Sequence, residues 1–313
     1  MKIVVTGGAG FLGSHLCKKL LEAGNEVICI DNLSTGSLEN IKDLEGKPNF
    51  KFVQYDAANG VPSIVDGKRI YHLASPASPN KSNPKSYISM PFETMQINSI
   101  GTWELCEDAL SLGAKFLFAS TSEIYGNPME HPQKETYNGN VSTIGPRSVY
   151  DESKRFGETI VSAFVHSKNL DGRIVRIFNT YGPNMADDGR VMIEFVNAAL
   201  SNKPIPVFGD GSQTRSFCYV DDMVDGLIAA MEKGEPGEVY NLGNPDEFTI
   251  SELAKKVKET TGSSSEIQNV GPLPEDDPEK RCPDITKAKS KLGWEPKVSL
   301  NDGLNDLIRH LKH

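Results

Sequence analysis

The segment YDESK sets Tyr150 and Lys154 four residues apart. On a helix that spacing puts both side chains on one face. An ammonium beside a phenol stabilises phenolate. A phenolate can take the proton of a substrate hydroxyl while hydride leaves the same carbon. A second stretch, FASTSEIYG, opens as an apolar strand and ends in Thr121, Ser122 and Glu123. In an open parallel sheet, ligands sit beyond the carboxyl ends of the strands, so Thr121 there can bond the same substrate oxygen as Tyr150. A third pattern lies at the start. Gly7, Gly10 and Gly13 form G-x-x-G-x-x-G in GGAGFLG, after an apolar run and before a helical one. Such a turn lets the backbone approach a pyrophosphate and aims a helix N-terminus at it. Asp31 ends the next apolar run; its carboxylate accepts from a ribose diol and repels a 2′-phosphate, which favours NAD over NADP. Asp56, closing FVQYD, stands where an adenine amino group can be read; a plain surface acid is the other reading of that position.

The elements that carry these residues follow from periodicity. Strands are predicted at Lys2–Thr6, Glu26–Ile30, Phe50–Tyr55, Arg69–Leu73, Lys115–Ala119 and Arg173–Phe178, with helical stretches such as FLGSHLCKKLLEAG and SVYDESKRFGETIVSAFV between them. This βαβ alternation predicts an α/β fold with a doubly wound parallel sheet of the Rossmann type. Beyond about Gly182 the texture changes to prolines, short strands (IPVFG, SFCYV) and short helices, closed by a helix near Leu300–Leu311. The expected division is therefore a dinucleotide-binding domain over 1–182, with a return segment near 217–245 that includes Val239–Leu242, and a smaller C-terminal α/β substrate-binding lobe over 183–313. The stretch VGPLPEDDPEKRCPD reads as too rich in proline and charge for a regular element.

Composition bounds the rest. The 313 residues, 38% hydrophobic and 24% charged, describe an ordinary globular protein. The net charge of −9 argues against nucleic-acid or anionic-membrane partners. Five scattered cysteines without a C-x-x-C pair read as free thiols in a reducing compartment. The six histidines show no metal-ligand spacing, so no metal is expected; His72 reads as structural. A chain that opens directly on a strand, with no long apolar run, is expected in the cytoplasm.

Several stretches together carry a resemblance: VTGGAGFLGSHL, IYHLASPASP, FASTSEIYG, IGPRSVYDESKR, RIFNTYGP, DGRV, GDGSQTRSFCYVDD and EKRCPDITKAKSKLGWEP. They span nearly the whole chain, which resembles the extended short-chain dehydrogenases/reductases acting on nucleotide sugars. Within that family the pattern is most similar to the branch that decarboxylates UDP-glucuronate to UDP-xylose. The resemblance implies that Gly7, Gly10, Phe11, Leu12, Gly13, Asp31, Asn32, Asp56, Leu73, Ala74 and Asn98 bind NAD, together with Tyr150 and Lys154. It implies a substrate site of Pro76, Glu123, Asn179, Arg190, Val191, Arg215 and Arg281, with Asn179 and Arg215 toward the diphosphate. Thr121, Ser122, Glu123, Tyr150, Lys154 and Arg281 become the catalytic set. A homodimer is implied through a four-helix interface built from INSIGTWELCEDAL and SVYDESKRFGETIVSAFV. NKSNPKSYISMP and Phe208 depart from the family's pattern. Cys218 and Cys282 read as packing residues.

Members of this family share oxidation at C4 and diverge afterwards. A 4,6-dehydratase usually has Asp-Glu after the Thr, the Asp protonating a leaving hydroxyl; here Ser122, a poor acid, holds that place. A 4-epimerase usually lacks the Glu. Ser122 with Glu123 suits departure of carbon dioxide, which needs no proton on the leaving group, the electrons passing into an enolate held by Tyr150 and Thr121. Glu123 is then expected to position groups or relay a proton to C5, and Arg281 to hold the carboxylate, contact the diphosphate or assist proton transfer. The rival readings are a UDP-sugar 4-epimerase, a 4,6-dehydratase and a non-catalytic NAD-binding regulator. Ser122 and Glu123 also fit a polar strand end that caps a turn, and Arg281 fits a surface ion pair with Glu275, Asp276 or Asp277.

Overall fold

The computed structural model describes residues 1–63, 65–273, 278 and 280–312. A seven-stranded parallel sheet forms its centre. The strands are β1 (Lys2–Thr6), β2 (Glu26–Asp31), β3 (Phe50–Gln54), β4 (Arg69–His72), β5 (Lys115–Thr121), β6 (Gly172–Ile177) and β11 (Val239–Leu242), in spatial order β11-β6-β5-β4-β1-β2-β3. The order reverses between β1 and β4, so a crevice opens there at the carboxyl ends.

Alternation along each strand feeds two cores. Ile3 and Val5 of β1 and Leu117 of β5 face one side, against Leu16, Cys17 and Leu20 of α1 (Phe11–Glu22) and Met223, Val224 and Leu227 of α6 (Val220–Lys233). Val4, Phe116 and Phe118 face the other, against Leu105 and Ala109 of α3 (Thr102–Leu112) and Ile160, Val161 and Phe164 of α4 (Ser148–Lys168). A period of two along a strand buried on both faces explains why these runs are apolar throughout. The helix α2 (Pro91–Gln96) leads through a π turn at Ile97–Gly101 into α3.

The remaining elements form smaller units. β7 (Thr180–Tyr181) pairs with β10 (Cys218–Tyr219), and β8 (Ile205–Val207) with β13 (Ile267–Asn269). β9 (Thr214–Ser216) lies between β12 (Glu247–Thr249) and β14 (Lys280–Arg281). Around them are α5 (Val191–Leu200), α7 (Ile250–Thr261) and α8 (Leu300–Leu311). Thr249 and Glu252 form a capping box on α7, and the Ser299 side chain accepts from Asp302 N on α8, both fixing helix starts.

Two differences from expectation matter for function. β5 runs on to Thr121 rather than ending at Ala119, because Ser120 and Thr121 keep the register with Arg176 and Ile177 of β6. That extension delivers Thr121 to the crevice. The proline-rich C-terminal stretch does contain a regular element: Lys280–Arg281 pairs with Thr214–Arg215. Pairing with a distant strand, not local propensity, makes it extended.

Candidate active site

A cavity of about 1040 Å³ lies over the carboxyl ends of the strands. Its floor at one end is the glycine turn. Gly7 has φ of 72° and backs onto Ala74, whose nitrogen would lie 2.7 Å from an added Cβ, so a side chain there forces the turn open. Gly10 begins α1 with no side-chain cap, which leaves the first-turn N–H groups of the helix to whatever occupies the cavity. Phe11, Leu12, Gly13, Asn32, Leu73, Ala74 and Pro76 line the same space. Asp31 is buried at the end of β2; its carboxylate accepts from Ala9 N at 3.0 Å and Leu33 N at 2.8 Å. Asp56 lines the cavity and caps a short 3-10 turn, accepting from Ala58 N at 3.0 Å. Asn98 is different. It is fully buried, donates to Ser153 Oγ at 3.0 Å, and is absent from the cavity wall. Its place is between the π turn and α4. His72, also fully buried, is bonded to Thr6 Oγ1 at 2.9 Å.

The helix α4 is fastened to the sheet by a polar network. Glu158 of α4 accepts from Ser120 Oγ at 2.5 Å and from Arg176 Nη2 at 2.8 Å; Arg176 Nη1 donates to Tyr125 Oη at 2.9 Å, which bonds Asn241 of β11. Gly157 lets α4 come close, since a Cβ there would sit 2.5 Å from the Phe118 ring. One and two helix turns earlier, Lys154 and Tyr150 face the cavity. Lys154 Nζ donates to Ala119 O at 2.7 Å and lies 5.9 Å from the Tyr150 ring centroid. Burial brings its pKa down to about 7.

Tyr150 departs from the sequence expectation. Burial, then the Glu123 charge, push its phenol up, and a hydrogen bond with Thr121 only partly opposes them. The balance reverses because desolvation disfavours phenolate more than the nearest groups favour it. The resting phenol is therefore protonated.

Glu123 sits at the centre of an arginine clamp. Arg281 donates from Nη1 to Oε1 at 2.5 Å and from Nη2 to Oε2 at 3.0 Å, and Arg147 Nη2 bonds Oε2. Burial alone raises this carboxyl, but the two guanidiniums outweigh it and hold the pKa at about 2. Ser122, buried, lines the wall beside it. Asn179, Arg190, Val191, Phe208 and Arg215 line the far end. Arg190 donates from Nε to Asp188 Oδ1 at 2.9 Å. Arg215 is buried on β9, in register with Arg281. The surface pair with Glu275, Asp276 or Asp277 considered for Arg281 lies outside the described residues.

Three residues here were missed from sequence. Arg147, in IGPRS, begins α4 and lines the cavity. Tyr87, in NKSNPKSYISMP, stacks on Tyr150 with centroids 4.8 Å apart and planes 9° from parallel. Asp151 is buried, and burial followed by the Glu123 charge raises it to about 8; its Oδ1 has no hydrogen-bond partner among the described residues. Arg147 had a signal, the residue lying within a recognised stretch, whereas the other two depend on tertiary packing.

The sequence profile of the NAD dependent epimerase/dehydratase family matches residues 3–243. UDP-glucuronic acid decarboxylase 2 of Arabidopsis thaliana is 50% identical over 313 residues, covering 100% of this chain and 68% of the relative. Among solved structures, UDP-glucose 4-epimerase of Thermotoga maritima with UDP-glucose superimposes with a TM-score of 0.89 at 34% identity, covering 100% of this chain and 99% of that one. UDP-glucuronic acid 4-epimerase of Bacillus cereus, in complex with UDP-glucuronic acid and NAD, gives a TM-score of 0.87 at 31% identity, covering 100% and 99%.

Proposed function

The chain belongs to the NAD dependent epimerase/dehydratase family, and on that footing we infer that it is an NAD-dependent carboxy-lyase converting UDP-glucuronate to UDP-xylose and carbon dioxide. The observation that carries this reading is the run Thr121-Ser122-Glu123 at the end of β5, with Glu123 clamped by Arg147 and Arg281 beside Tyr150. Ser122 offers no acid for a leaving hydroxyl, while the guanidiniums suit a sugar that carries a carboxylate.

The residues present fit the dinucleotide. The uncapped start of α1 and the glycine turn suit its pyrophosphate, and Asp31 with Asn32 its adenosine ribose. Bound there, NAD supplies a reversible hydride acceptor for C4 of the sugar. Tyr150 and Thr121 handle the proton of the C4 oxygen. The base form of Tyr150 needs a positive charge nearby, and Lys154, titrating at about 7, supplies one at 5.9 Å from the ring centroid. Once C4 is a ketone it stands β to the carboxylate, and loss of carbon dioxide moves the electrons toward that ketone oxygen, where the two hydroxyls donate. Glu123 stays ionised at a pKa of about 2, so of its two expected roles positioning is the one supported. Arg281 is assigned to the sugar end rather than the diphosphate, because its guanidinium lies on Glu123. Arg215, Arg190 and Asn179 are assigned to the nucleotide diphosphate. The two-part division, NAD over 1–182 with the return near 217–245 and nucleotide sugar over 183–313, is the matching proposal for the chain.

Product analysis by NMR tests the reading. With UDP-glucuronate as sole substrate, UDP-xylose and carbon dioxide are expected; a uronate product with C4 inverted would overturn it in favour of epimerisation.

The raised pKa of Asp151 gives a pH dependence. Below about 8 its carboxyl is neutral, and above it a second anion joins Glu123 from behind the cavity wall, which Asp151 itself does not line. Substrate binding weakens, with KM rising roughly tenfold for every 1.4 kcal/mol of repulsion. A pH profile of kcat/KM is expected to fall in two steps, near 7 as Lys154 loses its charge and near 8 as Asp151 gains one, and Asp151→Asn to remove the second step alone.

The family's dimer is also proposed. Phe92, Ile100, Trp103 and Phe156 are exposed large apolar residues on α2, the π turn, α3 and α4, a patch of the kind that subunits cover. A homodimer by light scattering is expected, and Trp103→Glu with Phe156→Glu should give monomers. No helix among the described residues is long and apolar enough to cross a membrane. Five free, buried thiols support the cytoplasm as the compartment.

A further inference from the structure

Beside the active site, three side chains from three separate segments converge. They are His131, Glu247 of β12, and Cys282 directly after β14. The imidazole nitrogen, carboxylate oxygen and thiol sulfur lie within 4.8 Å of one another. His131 Nε2 is 3.0 Å from Glu247 Oε2, and Cys282 Sγ is 3.3 Å from Pro245 O.

The surroundings hold these groups in place. Cys282 N donates to Gln133 Oε1 at 2.8 Å, and Gln133 N donates to Cys282 O at 2.9 Å. That ties the Cys282 backbone to the loop carrying His131. The Thr214 hydroxyl bonds Glu247 Oε1, leaving Oε2 toward His131. Outer bonds of this kind orient metal ligands. The carboxylates of Asp246 and Asp284 add negative field at the same sulfur, which favours a cation.

We propose that His131, Glu247 and Cys282 form a binding site for a borderline divalent cation of the Zn²⁺ class, with water as the fourth ligand. Nitrogen and sulfur donors disfavour Mg²⁺ and Ca²⁺, which take oxygen ligands. Bonds of about 2.0 to 2.3 Å in a tetrahedron put donor atoms about 3.3–3.8 Å apart. His131 and Glu247 already stand 3.0 Å apart, and the triad as a whole exceeds the tetrahedral spacing by at most about 1 Å, so ligation needs a small side-chain adjustment toward the Cys282 sulfur. On ligation the thiol proton leaves to buffer, and the thiolate bonds the metal. A hydrogen-bonded His–Glu pair beside an inert thiol is the alternative, and it makes no thiolate bond to any metal. No spacing motif marks the site, because its ligands are far apart in the chain and only one of them is a histidine. The ion would sit next to Arg281 without contacting the substrate cavity.

The test uses the full chain, stripped of metal with a chelator and titrated with Zn²⁺ and with Co²⁺. Co²⁺ is expected to give a thiolate charge-transfer band that saturates at one equivalent and is displaced by Zn²⁺. Zn²⁺ should also raise Tm, as any ligand of the folded state does. Cys282→Ser should abolish the band, and Glu247→Gln should weaken Zn²⁺ binding at least tenfold with the band retained. Absence of a saturating band, or an undiminished band in folded Cys282→Ser, would overturn the site, since Cys17, Cys29, Cys106 and Cys218 remain in that variant.

Discussion

Tyr150→Phe is expected to lower kcat on UDP-glucuronate by roughly 10²- to 10⁴-fold, the range set by loss of a positioned acid–base group, while the protein still binds NAD. The substitution removes one hydroxyl from a buried ring that stacks on Tyr87, so the packing is kept and only the proton chemistry goes. Thr121 remains, but its pKa is far too high to replace a phenol as base. Both halves of the cycle need the missing group. Oxidation needs it to accept the C4 hydroxyl proton, and re-reduction needs it to return that proton. The measurement is single-turnover carbon dioxide release together with the NAD content of the purified variant. Turnover within tenfold of wild type would remove Tyr150 from the role. Loss of NAD alongside turnover would show instead that the ring positions the cofactor.

Much of this arrangement could be read from the chain because the relevant signals are local. The glycine turn, Asp31 one strand later, and Tyr150 with Lys154 on one helical face are short-range patterns, and the apolar runs at Lys2–Thr6 and Lys115–Ala119 announce buried parallel strands. What escaped was set by tertiary contact. The resting protonation of Tyr150 depends on how deeply α4 packs onto β5, which Gly157 permits and the Ser120–Glu158–Arg176 bonds enforce. Arg281 looked like part of a charged loop until pairing with β9 and the Glu123 bonds gave it an address. Asn98 shows the converse: a residue implied by resemblance to hold the cofactor lies behind Ser153, bracing α4. Tyr87 came from a stretch that departs from the family's pattern, where resemblance had least to say.

The arginine clamp makes the second large prediction, and it concerns folding as well as chemistry. Glu123→Gln keeps the side chain's size but takes the carboxylate away from the buried Arg281 and from the half-buried Arg147. Breaking a buried ion pair by removing one partner costs about 3–5 kcal/mol, so a large fall in Tm is expected. The pH dependence fixes the cause. The folded pKa of Glu123, about 2, lies below its ordinary value of 4.5. A depressed carboxylate contributes stability that is full above the ordinary value and is lost as pH falls through the window from 4.5 to about 2. The Tm gap between wild type and Glu123→Gln should therefore be widest near neutral pH and close across that window. A gap that does not change with pH would mean the variant fails through packing, not charge. Chemistry is read separately, at a temperature where the variant is folded. If Glu123 only braces the site, kcat per folded molecule is unchanged. If its clamp sets where Arg281 meets the uronate, carbon dioxide release falls by roughly 10²-fold or more, the scale of a misplaced reacting group, and the NADH absorbance builds up because oxidation at C4, driven by Tyr150 and Thr121, continues ahead of decarboxylation.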